Sequence, residues 1–266
     1  MSPDIDPILR EWAFQPDEVT VRSIKTDDDV ERIQLRLDLG VLQMHVDGRP
    51  DGQRINDCES WLEYHRQQQQ EHDQANPDAA RYLLEPEDCV ELLREGVQYY
   101  HRYLSFWHLG RYELCARDTS RNLELFRFVR NHARNDRDKL QFDQWRPYVT
   151  MMHARAVATP LVELEEWEAA TNVIDAGIRR LEEFLADYGQ EDQADRLGEL
   201  QFLRRWRKEV VGKSGASDED DDAAVDPVEQ LRDELEQAIA EERYEEAAEL
   251  RDQLRRLEDP QPPQLP

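Results

Sequence analysis

The first fifty residues alternate hydrophobic and polar side chains with a period of two, which is typical of half-buried strands. The clearest run begins after Arg32 and places Ile33, Leu35, Leu37 and Leu39 on one face and Gln34, Arg36 and Asp38 on the other. A weaker run over Glu18–Ile24 precedes it, and Gly40 shifts the phase to Leu42, Met44 and Val46, which indicates a bulge. We therefore predict an N-terminal β-hairpin region over residues 1–57. It must pack on helices or on another copy, because an isolated hairpin is only marginally stable.

Most of the remaining chain follows the three- and four-residue spacing of amphipathic helices. Candidate helices cover roughly residues 58–73, 77–84, 87–108, 111–133, 141–159, 166–187 and 190–210. At two turns an aromatic residue, Tyr112 or Trp167, stands just before small residues of the next helix. This arrangement resembles tetratricopeptide repeats, although the 55 residues between the two aromatics differ from the ~34 of a regular array. For residues 58–211 we predict a mainly α, irregular TPR-like stack of helical hairpins, with generic antiparallel helices as the alternative.

Composition marks two segments that separate or end domains. Residues 212–227 run from small residues through five consecutive acidic residues to a proline, which predicts an acidic flexible linker. Residues 259–266 contain four prolines and predict a Pro-rich disordered tail. Between these segments lie two narrow apolar seams of the coiled-coil kind: Val228, Leu231, Leu235 and Ala238, then Ala247, Leu250, Leu254 and Leu257. No glycine or proline separates the seams, so the spacing allows either one long helix or a helical hairpin.

The second seam contains an aromatic residue, two alanines and an Arg-Asp pair at close spacing, in the run Tyr244-Glu245-Glu246-Ala247-Ala248-Glu249-Leu250-Arg251-Asp252. Together with the first seam, this run resembles the UVR motif, a short domain of the bacterial excision-repair proteins UvrB and UvrC. The motif also occurs in McsA-type regulators and ClpC-type chaperone ATPases. The resemblance covers about residues 228–258 and implies an antiparallel helical hairpin used for protein–protein contact. In that family the aromatic residue and the Arg-Asp pair belong to the packing and contact surface, which assigns those roles to Tyr244, Arg251 and Asp252.

The resemblance also implies a class of partner: a UvrB- or UvrC-like protein, a Clp- or McsA-like protein, or a second copy of this chain. The predicted partner-binding residues are Leu235, Ile239, Tyr244, Ala247, Ala248, Arg251, Asp252 and Leu254. A hairpin of about thirty residues cannot bury enough apolar surface to be very stable alone, which favours completion by a partner. The alternative is that the same residues only close the hairpin against residues 1–211.

The net charge narrows the classes of partner. The 266 residues include 60 acidic and 34 basic side chains, a formal net charge of −26. Such a charge repels phosphate, so no direct binding to nucleic acid or to an anionic membrane is expected. No run approaches the ~20 apolar residues of a membrane span, and the first residues lack a signal-peptide pattern. The three cysteines, Cys58, Cys89 and Cys115, are far apart and odd in number, which argues against a disulfide framework. We expect a reduced, cytoplasmic bacterial protein.

Little in the sequence indicates catalysis or a bound cofactor. The chain has no G-x-x-x-x-G-K-[ST] phosphate loop. His101 and His108 share a helix face, but two helical turns place them about 10 Å apart, too far for one zinc ion. We therefore expect no catalytic residue, cofactor or metal, and predict a non-catalytic adaptor or regulatory protein. The alternative is an enzyme or small-ligand-binding protein with its site in residues 1–211.

One basic run, Arg204–Lys208, stands out in this acidic chain. Its first interpretation is the polar face at a helix C-terminus, where cations are favourable. The second is a docking point for the acidic linker, and the third is a nucleic-acid contact through arginine and an interleaved tryptophan.

Overall fold

The structure, a computed structural model, describes residues 4–16, 18–75, 80–215, 227–240, 243–258 and 260. Their contacts divide the chain into two compact units, Met1–Asp143 (unit 1) and Gln144–Pro266 (unit 2). This division falls inside the segment 58–211 that the sequence analysis assigns to one helical domain. Both units are mainly helical, and unit 1 also holds a small antiparallel sheet. The predicted mainly α fold with an N-terminal β element is thus confirmed.

The sheet of unit 1 is an antiparallel meander of three strands: β1 (Val21–Lys25), β2 (Glu31–Leu37) and β3 (Gly40–His45). Val21 lies opposite Leu35 in the first pair of strands, and Ile33 lies opposite Met44 in the second. The predicted bulge at Gly40 is wrong, because the chain turns at Asp38 and Leu39 and begins a third strand. Leu39, which the alternation placed on the buried face, is 87% exposed at this turn.

The described residues of unit 1 also form the helices α1 (Asp6–Glu11), α2 (Trp61–Ala75), α3 (Pro86–His108), α4 (Tyr112–His132) and α5 (Asp136–Asp143). Helices α3 and α4 pack on each other across a turn at Gly110, where a φ of +67° favours glycine. One face of β2 is buried against α3 through Ile33 and Leu35. On the other face, the Arg36 Nε donates a 2.7 Å hydrogen bond to the Trp12 carbonyl. Gln34 and Arg36 on that face are themselves buried, so both faces of β2 are covered.

The predicted helix over residues 77–84 is wrong for its described part, residues 80–84. The Leu84 N–H donates to the His132 carbonyl at 2.7 Å, and the Arg134 N–H donates to the Leu84 carbonyl at 3.2 Å. The backbone of Leu84 is thus paired with the chain that follows α4, which leaves it unavailable for a helical ladder. Residues 76–79 lie outside the described part of the chain.

Unit 2 contains the helices α6 (Arg146–Glu163), α7 (Trp167–Asp187), α8 (Gly198–Ser214), α9 (Pro227–Ala240) and α10 (Tyr244–Glu258), with a 3-10 helix at Glu191–Arg196. The predicted helix 141–159 is divided in two, because α5 ends at Asp143 and α6 starts at Arg146 with Pro147 in its first turn. Helices α6, α7 and α8 pack on each other. They approach closely at Gly177, where a Cβ would lie 2.9 Å from the Ala154 Cβ and 2.9 Å from the Leu203 Cδ1.

The two seams at the C-terminus form separate helices, α9 and α10, so the hairpin that the resemblance implies is present. Helix α8 continues to Ser214, which makes the first residues of the predicted linker helical. Residues 216–226 of that linker lie outside the described residues, as does the predicted tail apart from Pro260. Within the described part of the chain, no helix is long and apolar enough to cross a membrane.

Candidate functional site

The hairpin of α9 and α10 is held by a small apolar core. Ala238, Ala247 and Leu250 are buried, and Leu231 and Leu235 pack against them. The turn is closed by the backbone, because the Arg243 N–H donates to the Ala238 carbonyl at 2.8 Å. The alanines of this core let the two helices approach closely.

The predicted partner-binding residues fall into two groups. Ala247 is buried and Leu235 and Leu254 are half-buried, whereas Ile239, Arg251 and Asp252 are exposed and Ala248 beside them is half-buried. Tyr244 is the first residue of α10, and its side chain lies outside the described residues. The structure therefore separates hairpin-closing residues from surface residues within the predicted set.

Ala248, Arg251 and Asp252 share one face of α10, because they are three and four residues apart. We call these three residues the outer face. The Arg251 and Asp252 side chains are 68% and 59% exposed, and the Arg251 Nη2 lies 3.0 Å from the Asp252 Oδ1. The half-buried alanine beside them leaves room for another backbone to approach. In α9, Ile239 adds a large hydrophobic side chain that is 53% exposed.

The hairpin also contacts the helices before it. The Arg205 Nη2 of α8 donates a 2.7 Å hydrogen bond to the Leu257 carbonyl of α10. Gly198 and Glu199 of α8 face Gln253 and Leu257 across a cleft of about 530 Å³. Burial raises the pKa of the Glu199 carboxyl above its ordinary value, while its own backbone N–H opposes the shift.

The basic run in α8 is engaged within unit 2. Arg204 lies 2.9 Å from Glu182 and Arg207 lies 2.7 Å from Asp175, both carboxylates of α7. With Arg205 on the hairpin, three of its basic side chains have contacts inside the unit. The predicted docking of the acidic linker on this run lies outside the described residues.

A second cleft of unit 2, of about 290 Å³, lies between α6 and α7. Its apolar lining includes Val157 and Val173, and its polar lining includes Thr150, His153, Asn172 and Arg180. Asn172 and Arg180 are exposed, so these two polar groups stand at its rim.

Unit 1 holds a buried ion pair that the sequence analysis did not detect. Arg102 of α3 and Asp118 of α4 are each 1% exposed, and the Arg102 Nε and Nη2 lie 2.6 and 2.9 Å from the two Asp118 oxygens. The Arg102 Nη1 donates to the carbonyls of His45 and Gly48 at 3.0 and 2.8 Å. This arginine therefore fastens the loop after β3 to the helices.

A second buried charge, Glu95 of α3, lies at the start of α2. Its carboxylate accepts hydrogen bonds from the N–H groups of Trp61 and Leu62 at 2.8 and 3.3 Å and forms an ion pair with Arg121. Trp61 and Leu62 are the first residues of α2, so Glu95 caps that helix from another helix. Both charge clusters have structural partners, and we assign them a structural role.

His65 of α2 is buried beside these groups. Its Nδ1 lies 2.9 Å from the Tyr82 hydroxyl, and its Nε2 lies 3.9 Å from an Asp88 oxygen without a hydrogen bond. Burial lowers the His65 pKa, and the nearby Asp88 and Glu95 carboxylates oppose this only in part. Burial also raises the pKa of Tyr82 to about 12. Among the described residues, no three His, Cys, Asp or Glu side chains come together as a metal site requires.

Residues 226–259 match the family model of the UvrB/uvrC motif. The match covers α9 and α10 and confirms the resemblance that the seams and the Arg-Asp pair indicated. Such motifs are known in protein–protein interaction and in proteins related to DNA repair. No curated protein and no solved structure gives a significant match to the chain. A tetratricopeptide-like repeat in residues 86–210 stays a prediction, although helices there do pack in sequential pairs.

Proposed function

We propose that this protein is a non-catalytic, cytoplasmic adaptor or regulator that binds a protein partner through its C-terminal hairpin. The observation that carries the proposal is the exposure of Arg251 and Asp252 within the matched motif, while Ala247 and Leu250 in the apolar seam of the same helix are buried. A surface arginine beside a carboxylate can form bidentate pairs with a partner. The neighbouring Ala248 permits close helix approach.

The charge of the hairpin indicates what the partner surface should carry. Residues 228–258 include eleven acidic residues and five arginines. Electrostatic complementarity steers association and selects partners, so the partner should present basic residues around the site. By the family resemblance, the candidates are a UvrB- or UvrC-like repair protein, a Clp- or McsA-like protein, or a second copy of this chain.

A pull-down with the full chain and with a chain lacking residues 228–266 tests the proposal. We expect specific partners to be captured by the full chain and lost from the truncation. Arg251→Glu and Asp252→Arg should each reduce capture strongly, because each places like charges against the partner's complementary group. Arg94→Glu is the matched control, since Arg94 is an exposed arginine of unit 1 and undergoes the same charge change. Unchanged capture by the truncated chain would exclude the hairpin as the binding element.

Small-ligand binding at the cleft between α6 and α7 is the second proposal. Its volume of about 290 Å³ lies near the lower end of the range for small-molecule sites, about 300–1,000 Å³. The Arg180 guanidinium at its rim favours an anionic ligand. A thermal-shift screen of small carboxylates and phosphates tests this proposal: a shift that Arg180→Ala abolishes supports it, and an equal shift in that variant refutes it.

A further inference from the structure

The contact between α8 and α10 joins the hairpin to the rest of unit 2. We propose that the side of α8 carrying Gly198, Glu199 and Arg205 is a docking site for the protein's own UVR hairpin. The hairpin then meets its partner as a fixed part of unit 2, with the outer face directed away from α8. The docking itself is independent of the proposed function, but its consequence for partner binding rests on that function.

Arg205 stabilises this contact through its hydrogen bond to the Leu257 carbonyl. The Leu257 carbonyl belongs to the last turn of α10, where backbone carbonyls have no partner within the helix. A guanidinium at a helix C-terminus satisfies such a carbonyl and interacts favourably with the helix dipole. Arg207 holds α8 against α7 through a 2.7 Å hydrogen bond to Asp175, so α8 stays in place without the separate Arg204–Glu182 pair.

The hairpin needs this support because its own core is small. The buried residues of that core are Ala238, Ala247 and Leu250, two of which are alanines, and Val228 of α9 is buried outside it. An isolated unit of this length buries too little apolar surface to be stable alone. Packing against α8 adds burial at the end of α10, where Leu257 is half-buried and Pro260 is buried. Undocking should therefore loosen the whole hairpin and not only its last turn.

Docking leaves the outer face accessible. At about 100° per residue, Gln253 and Leu257, which face α8, point roughly opposite to Ala248, Arg251 and Asp252 on α10. A partner that binds the outer face does not have to displace α8. A preorganised hairpin also loses less conformational entropy on binding than a hairpin that must fold first.

Glu199, which lines the same cleft, disfavours docking of the hairpin. It lies with Asp195 and Arg196 on the unit-body side, facing Gln253, Leu257 and Pro260 of the hairpin end. A carboxylate that loses hydration when the cleft forms disfavours docking near neutral pH. Glu199→Gln keeps the shape of the side chain and removes the charge, so it should tighten the contact.

Hydrogen exchange of the full chain, followed by mass spectrometry without any partner, tests the docking. We expect Arg205→Gln to speed exchange of the α9 and α10 amides by about tenfold or more, as loss of one charge-assisted hydrogen bond implies. Arg204→Gln is the matched control, because Arg204 pairs with α7 and should leave α10 unchanged. Glu199→Gln should slow exchange in α10, and the amides of α6 and α7 should not change in the Arg205→Gln or Glu199→Gln chain.

The docking is refuted if the α10 amides of the Arg205→Gln chain exchange at the wild-type rate. It is also refuted if Arg204→Gln speeds exchange of the α10 amides as much as Arg205→Gln does. If the α10 amides of the Glu199→Gln chain exchange no more slowly than those of the wild type, Glu199 does not disfavour docking. These outcomes are separate from the pull-down: a hairpin that undocks freely can still capture a partner, and a docked hairpin can fail to capture one.

Discussion

Replacing Asp118 by asparagine would leave the Arg102 guanidinium charged inside unit 1 without its bidentate counter-ion. Both side chains are 1% exposed, so water cannot take the place of the lost carboxylate. Removing one partner of a buried pair costs about 3–5 kcal/mol, because the other charge stays buried. For a unit of this size we expect the midpoint of thermal unfolding to fall by about 10 °C.

The companion variant Arg102→Met removes the charge and keeps most of the aliphatic stem. It leaves the Asp118 carboxylate with Arg117, whose Nε lies 3.0 Å away, and it removes the Arg102 donor from the His45 carbonyl. The Gly48 carbonyl still accepts from the Tyr99 hydroxyl at 3.4 Å. Each unsatisfied buried group costs about 1–3 kcal/mol. The double variant should therefore stay destabilised but cost clearly less than the sum of the single variants, because neither buried charge remains.

Urea and thermal unfolding by circular dichroism measure these free energies, and hydrogen exchange assigns the change to unit 1. Arg94→Met is the control on the same helix: its ion pair with Glu91 is exposed and should contribute less than about 0.5 kcal/mol. The reasoning is refuted if Asp118→Asn lowers the free energy of unfolding no more than Arg94→Met does. It is also refuted if the losses of the two buried substitutions simply add in the double variant, because the two charges are then not coupled.

Two further predictions concern packing and pH. Gly177→Ala should destabilise unit 2 by about 1–2 kcal/mol, because its Cβ would overlap Ala154 and Leu203. Gly212→Ala, a helical position of α8 with nothing within 4 Å of the added Cβ, should be neutral or stabilise by about 0.5 kcal/mol in the same urea titration; similar losses in both would contradict the packing argument. Because burial lowers the His65 pKa in the folded state, the unfolded chain binds the proton first, and unit 1 should lose stability as pH falls below the ordinary histidine pKa of about 6.5. His65→Gln should reduce the slope of the free energy of unfolding against pH, measured by urea titrations between about pH 7.5 and 5.5, by up to about 1.4 kcal/mol per pH unit; an unchanged slope would exclude His65 as its source.

Features that depend on local periodicity could be predicted from the sequence. The alternation around Ile33 and Leu35 predicted the central strand. The seams predicted helix at the C-terminus, but their spacing also allowed one long helix, and the hairpin was implied only by the resemblance to the UVR motif. The third strand was missed because a two-residue turn at Asp38 and Leu39 changes the phase in the same way as a bulge does.

Features that depend on which faces meet could not be predicted. The three buried charges are helical residues: Glu95, Arg102 and Asp118. From the sequence alone, charged residues on helices are expected to face solvent. Their burial follows only from the packing of α3 on α4 and on the loop after β3. The contact of Arg205 could not be predicted either. Its partner is a backbone carbonyl 52 residues later, and the pattern of side chains gives no information about which carbonyl a side chain will reach.

The capping of α2 by Glu95 sets an order for folding. Helix α2 is polar and buries only Leu62 and His65, so burial of apolar surface does little to stabilise it early in folding. Its first N–H groups are satisfied by a carboxylate 34 residues downstream, which is in place only after α3 has formed and docked. Helix α2 should consequently belong to the last cooperative segment to fold and the first to open, although it precedes α3 in the chain.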